Sequence, residues 1–418
     1  MRRSRILILL STVAAGCGEP GVSPDLEHAR ALSRSELIVD THIDLPYRLY
    51  RRQEDVAEPT SGEFDYPRAL AGGLDAAFMS IYVPAAVDAE GRATEMADRL
   101  IDLVEGIARD APDKFAVATC TRDVEAIRAS GRIALPMGME NGGPIAGDLG
   151  KLDHFMGRGV RYITLAHSKS NHISDSSYDE NEPWEGLSPF GRDLVTAMNQ
   201  RGMMIDVSHL SDRAFWQVLE LSSAPVVATH SSLRHFVPGF HRNMSDEMVA
   251  ALGRNGGVVQ INFGSSFVTA EARAYSDAMT AAVKAFAETE EPRYDDPAVR
   301  AFAASYRAEH PYPYAELEDV LNHVDRAVAL AGIEHVGLGS DYDGVGDTLP
   351  VGLKDVSSYP NLIAGLADRG YDDHSISLIL GGNLMRVWRE VEAVAAAQGF
   401  PTACRHDAPA RSALSQRL

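Results

Sequence analysis

Cysteine is scarce: Cys17, Cys120 and Cys404 are the only three in 418 residues. With Cys17 assigned to a separate role below, at most one intramolecular pair remains, and sequence does not distinguish a Cys120–Cys404 disulfide from two buried thiols. Long basic runs are missing and the formal net charge is −20. This excludes a nucleic-acid backbone or an anionic membrane face as the main partner and favours a small or cationic ligand. The apolar stretch at residues 6–15 is too short to span a bilayer. No internal repeat or low-complexity block interrupts the chain. What is present, 45% hydrophobic and 23% charged residues, describes a globular protein long enough for one large domain or two ordinary ones.

The N-terminus, "MRRSRILILLSTVAAGC", places Arg2, Arg3 and Arg5 before the apolar stretch and small residues before Cys17. That is the layout of an export signal, and it resembles a bacterial lipoprotein signal, whose cysteine is lipidated and becomes the new N-terminus. The expected division is a signal peptide at 1–16, a tether at 17–34, one catalytic domain at 35–400 and a tail at 401–418. Such a protein is exported to the cell envelope and held on a bacterial membrane by lipid at Cys17; an ordinary cleaved signal peptide with an incidental cysteine would export it without that anchor.

Beyond the tether, short apolar runs alternate with segments of helical period. Eight runs read as strands: "LIVDTHID", "AAFMSIYV", "IALPMGME", "YITLAH", "MMIDVSH", "PVVATH", "GVVQINF" and "HVGLGSD". Helix starts are expected after Ser211 and Ser245. Eight strands alternating with helices predict a (β/α)8 TIM-type barrel. More than fifty residues, from Gly264 to about Glu316, separate the seventh strand from the next long helix. They carry two helical patterns, so a helical insertion after the seventh strand is expected on the functional face.

Polar residues collect where these strands finish. In "IVDTHIDLP", Asp40, His42 and Asp44 share one face, because strand side chains alternate. Glu140, His167, His209, His230 and Asp341 end the third, fourth, fifth, sixth and eighth strands. Strand ends of a barrel converge on one mouth. Histidines and carboxylates aimed at one point are most simply explained as metal ligands of zinc type.

These residues lie in motifs that resemble the renal (membrane) dipeptidase family of binuclear zinc peptidases: "DTHIDLP", "GMENG", "YITLAHS", "GLSPFGRDLVTAMNQRGMMIDVSHLSD", "PVVATHSS", "RNMSDE", "GLGSDYDG" and "GGNLMRVW", in family order from about Val39 to Trp388. The resemblance implies two zinc ions per chain, one on His42 and Asp44, the other on His209 and His230, bridged by Glu140. It implies hydrolysis of dipeptides by a metal-bridging hydroxide, with Asp341 moving the proton and His167 meeting the scissile carbonyl or its oxyanion. Arg242 would take the substrate's terminal carboxylate as a planar donor. Gly264 departs from family members that carry tyrosine near the substrate, which bears on substrate preference.

Other residues read more plainly. His28, His154, His310, His323, His335, His374 and His406 are expected at the surface or as satisfied core residues. His172, His235 and His241 follow strand ends closely enough for contact with the ligands or the substrate. Asp40 either orients a ligand or satisfies backbone donors; Asp206 is expected to be structural inside the barrel, Asp343 to sit in a turn, and Met137, Met139, Met203 and Met204 to fill the core. The expected partners are small dipeptides and the membrane, with a homodimer left open and no nucleic acid. A lipid-anchored solute-binding protein would share the export signal and acidity but would not need this ligand set.

Overall fold

The computed structural model describes residues 24–289, 296–400 and 404–405. Its strands are β1 (Ile38–Ile43), β2 (Leu74–Tyr82), β3 (Phe115–Ala116), β4 (Ile133–Ala134), β5 (Met137–Glu140), β6 (Val160–Thr164), β7 (Met204–Asp206), β8 (Val227–Ala228), β9 (Val258–Ile261) and β10 (Val336–Leu338). Neighbours pair in parallel in the order β1, β2, β5, β6, β7, β8, β9, β10. The ring closes just above β10, where Ile43 bridges Tyr342 in parallel. There Asp44 N–H donates to Tyr342 O at 2.9 Å and Asp341 N–H to His42 O at 3.1 Å. Asp40 completes the seam: its Oδ1 accepts the His42 and Ser340 N–H groups at 3.0 and 3.1 Å. Of its two expected roles, Asp40 thus fills the one that satisfies backbone donors.

The eight expected strands are the eight staves of this barrel, with one refinement. The run "IALPMGME" breaks at Pro136, which has no N–H for a ladder. Its first half, β4, pairs with the start of β2 and with the unexpected β3; its second half, β5, pairs with the end of β2 and with β6. The helix starts fall as expected: Ser211 Oγ accepts from Ala214 N–H to open helix Asp212–Leu221, and Ser245 Oγ from Met248 N–H to open Asp246–Arg254.

Val39, Phe78, Tyr162, Met204, Val227 and Val258 from successive staves form one buried cluster with Leu384 and Trp388 of helix Asn383–Ala397. Apolar packing therefore fills the lower barrel, and the polar strand ends are left to the opposite mouth. All four expected core methionines are buried, Met137, Met139 and Met203 completely. The insertion after β9 is helical, with Ser265–Val268, Ala270–Ala287 and Pro297–Glu309 preceding helix Leu317–Ala331.

Two expected boundaries move. Residues 24–34, expected as tether, belong to helix Pro24–Ser35, whose buried Ala29 and Leu32 dock it on the domain. At the other end, Cys404 is disulfide-bonded to Cys120, and Arg405 N–H donates to Thr119 Oγ1 and Asp123 Oδ2, both at 3.1 Å. The domain therefore reaches past residue 400. The expected signal peptide, Cys17 and His406 lie outside the described residues. Among those described, no helix is long and apolar enough to cross a membrane.

Candidate metal centre

Glu140, the last residue of β5, is the hub. Its Oε1 lies 3.2 Å from both His209 Nε2 and His230 Nε2 and 3.5 Å from His167 Nε2; its Oε2 lies 3.5 Å from His42 Nε2. His42 Nε2 is in turn 3.5 Å from Asp44 Oδ2. His42, Asp44 and Asp341 each offer a ligand atom, and these three atoms lie within 4.8 Å of one another. All seven strand-end residues expected to converge are thus at one mouth.

The imidazoles are held with a defined nitrogen inward. Tyr162 OH donates to Thr41 O at 3.1 Å, so it accepts from His42 Nδ1–H at 2.9 Å, and His42 Nε2 is the nitrogen that faces the centre. A second relay does the same for His230: Thr229 Oγ1 donates to Asp206 Oδ2 at 2.7 Å and accepts from His230 Nδ1–H at 2.8 Å. Asp206 was expected to be structural, and its structural role extends to orienting His230 through Thr229. The relays themselves went unread in the sequence. Tyr162 could have been found, since it shares an inward face with Thr164 and crosses the strand at Gly138, where any Cβ would stand 1.9 Å from its ring.

Backbone turns aim the remaining groups. His209 and Asp341 both adopt left-handed conformations, with φ of 68° and 64°. Each costs about 1 to 2 kcal/mol for a side chain with Cβ and is retained where function requires the direction. Asp44 occupies the N-cap position of helix Leu45–Arg51 yet makes no side-chain capping bond, so its carboxylate stays in the site. Gly344 permits this packing, because a Cβ there would lie 2.1 Å from Asp44 Oδ2 and 2.4 Å from Asp341 Oδ1.

Burial alone would raise the Glu140 carboxyl, but His167, His42, His209 and His230 outweigh it and hold it well below the usual carboxylate range. Burial opposes protonation of His42, yet Tyr162, Glu140 and Asp44 take it well above an ordinary imidazole. Burial, with Arg242 nearby, keeps His209 well below the usual value, and burial with His42 and Arg242 does the same for His230. Asp341 is pushed up, by burial first, to about 7; His42 pulls against the shift, Asp44 and Glu140 add to it, and Asn262 Nδ2, donating to Oδ2 at 2.7 Å, opposes it.

Arg242 is buried behind His230. Its Nη1 donates to Ser231 Oγ at 2.8 Å and its Nη2 to His230 O at 2.7 Å, while Nε has no partner. Among the described residues no carboxylate pairs with it. A cavity of about 770 Å³ opens over the cluster, lined among others by Asp44, Glu140, His167, His209 and Asp341 and, from the insertion, by Ser266, Phe267 and Ser276. His172, His235 and His241 are not among its lining residues.

The donor set fits a divalent cation. Glu140 holds imidazole nitrogens around one carboxylate, and His42 Nε2 and Asp44 Oδ1 are buried atoms without hydrogen-bond partners, donor atoms of the type that zinc takes. The membrane dipeptidase family, peptidase family M19, matches residues 26–400. This chain belongs to that family. It is accordingly a metallo-dipeptidase built on the TIM-type barrel. A fungal relative, dipeptidase tcpJ of Claviceps purpurea, is 35% identical over 356 residues, covering 82% of this chain and 74% of its own. Among solved structures, the probable dipeptidase PvdM from Pseudomonas aeruginosa superposes with a TM-score of 0.77 at 29% identity, covering 89% of this chain and 99% of that one. A metallopeptidase from Rhodobacter sphaeroides, solved with a phosphinate mimic of the dipeptide L-Ala-D-Ala, gives 0.69 at 26% identity, with 85% and 99% covered.

Proposed function

We propose that this chain is a bacterial, exported, lipid-anchored enzyme that binds two zinc ions and hydrolyses dipeptides with a free C-terminal carboxylate. His42 and Asp44 would hold one zinc, His209 and His230 the other, and Glu140 both. Zinc bound there would supply Lewis acidity toward a water and the substrate carbonyl. The chain's own residues do the rest. Asp341, fixed by Asn262, receives the proton given up by the attacking water and returns one to the departing amine. His167, facing Glu140 from the cavity side, donates to the oxygen on which negative charge develops.

The observation that carries this reading is Arg242. A buried guanidinium with no carboxylate partner among the described residues, Nε uncommitted and the ligand cluster alongside, is a ready acceptor site for a planar anion. It would fix one end of a short substrate at a set distance from the scissile bond. Arg242→Ala should reduce kcat/KM for a dipeptide by an amount corresponding to on the order of 2 to 5 kcal/mol, and far less for its C-terminal amide, which lacks the charge. Equal losses on both would remove Arg242 from substrate binding. Elemental analysis of the active enzyme should return about two zinc ions per chain, and one or none would refute the bridged pair.

The envelope location is supported by "AAGC" after the apolar run and by the Cys120–Cys404 disulfide, which suits an oxidising compartment. Cys17→Ser should shift the enzyme from the membrane fraction to the soluble one; unchanged fractionation would exclude lipid at Cys17.

A further inference from the structure

The insertion contributes more than bulk to the cavity. Phe267, half-buried in the short helix Ser265–Val268, lines it and lies with its ring centroid 5.5 Å from Arg242 Cζ. The Phe267 ring is 5.8 Å from that of Phe240, which is 6.0 Å from that of Tyr178, another cavity-lining residue. Tyr178 in turn stands 5.8 Å from the His209 ring. Three aromatic rings therefore run as an arc from the guanidinium to the metal-ligand cluster.

The position of Phe267 is set by its surroundings. Asn243, next to Arg242, donates through Nδ2 to Phe267 O at 2.8 Å, tying the aromatic residue to the loop that carries the arginine. Gly264 leaves the ring its place, since a Cβ there would meet Phe267 Cδ2 at 3.0 Å and Val345 Cγ1 at 2.9 Å.

We infer that the Tyr178–Phe240–Phe267 arc is the subsite for the side chain of the C-terminal residue, and that this enzyme selects dipeptides with an apolar, preferably flat, residue at that position. The inference rests on Arg242 as the carboxylate anchor. The C-terminal residue's carboxylate and side chain leave the same Cα, so a carboxylate on Arg242 puts the side chain within a few ångströms of the rings beside it. Tyr47 and Tyr82, which also line the cavity, pack edge to face at 5.1 Å and are left to border the N-terminal residue.

The test is a matrix of kcat/KM values for L-Ala–Gly, L-Ala–L-Leu, L-Ala–L-Phe and L-Phe–Gly with the wild-type enzyme, Phe267→Ala and Tyr178→Ala. Wild type should prefer C-terminal Phe and Leu to Gly. Phe267→Ala should lower the Phe/Gly ratio at the C-terminal position about tenfold, chiefly through KM, the usual discrimination of a hydrophobic wall. Tyr178→Ala should lower it in the same direction, and both variants should keep the wild-type metal content. The ratio of L-Phe–Gly to L-Ala–Gly should not follow these changes. A uniform loss over the matrix, or a change that tracks the N-terminal residue, overturns the assignment. A wild-type enzyme that cleaves none of the four would instead refute the dipeptidase reading itself.

Discussion

Tyr162 and Thr229 bear no charge, yet their hydroxyls decide which nitrogens of His42 and His230 face the centre. Each hydroxyl spends its proton elsewhere, on Thr41 O and Asp206, and can therefore only accept from the imidazole. The difference between such supporting groups and a group that moves protons can be measured. Tyr162→Phe removes an acceptor for His42 Nδ1–H while keeping the ring in the core, so zinc affinity should fall by roughly 10- to 100-fold. Asp341→Asn keeps size and the neighbourhood of Asn262 but removes the base, so kcat should fall by roughly 10²- to 10⁴-fold with zinc largely retained. Chelator competition and turnover, measured on both variants, separate the roles; if Asp341→Asn also loses its metal, Asp341 is a ligand first.

At the scale of elements, helix Leu317–Ala331 is joined to the loop after β8 and to the insertion through His323. Its Nδ1 accepts Leu233 N–H and its Nε2–H donates to Val268 O, each at 3.0 Å, so the buried ring is neutral and fully used. Burial depresses its pKa to about 4 from an ordinary 6.5, the Val268 carbonyl pulls upward, and His235 adds to the depression. The unfolded chain therefore binds a proton that the folded one refuses between pH 6.5 and 4. Stability from this group is complete above about pH 6.5 and declines toward pH 4, by a total of roughly 3 kcal/mol. In the metal-free protein, His323→Gln should lower the denaturation midpoint at pH 7 but narrow the difference between pH 7 and pH 5; an unchanged difference would show that His323 does not titrate in this range.

The same scale shows what sequence could convey. Alternation and β-branched runs exposed the staves, and polar residues at their ends exposed the cluster around Glu140, because a barrel brings strand ends together whatever the loops do. β3 escaped, since two residues have no readable period. Helix Pro24–Ser35 was hidden by the Gly, Pro and Ser before it, although Ala29 and Leu32 are at its docking face. Tyr162 and Thr229 were missed because their roles depend on cross-strand neighbours that no local pattern encodes.

Over the whole molecule, one covalent link joins distant parts of the chain. Cys120 and Cys404 are 284 residues apart in sequence with Cα atoms 5.4 Å apart. The bond ties the segment after the last helix to the N-terminus of helix Thr121–Ala129, where Asp123 accepts both Thr119 N–H at 2.8 Å and Arg405 N–H at 3.1 Å. Closing so long a loop restricts the unfolded chain far more than the folded one, and a disulfide of this kind contributes about 2 to 4 kcal/mol. Its position, away from the strand ends that carry Glu140 and His209, separates stability from chemistry. Cys404→Ser should therefore lower the denaturation midpoint by that amount while leaving kcat and zinc content near wild type at 25 °C. Reductant should bring the wild-type midpoint down to that of the variant and leave the variant where it is. If reductant leaves the difference between the two unchanged, Cys404 stabilises the fold by packing alone; if they already coincide without reductant, the bond contributes nothing to stability.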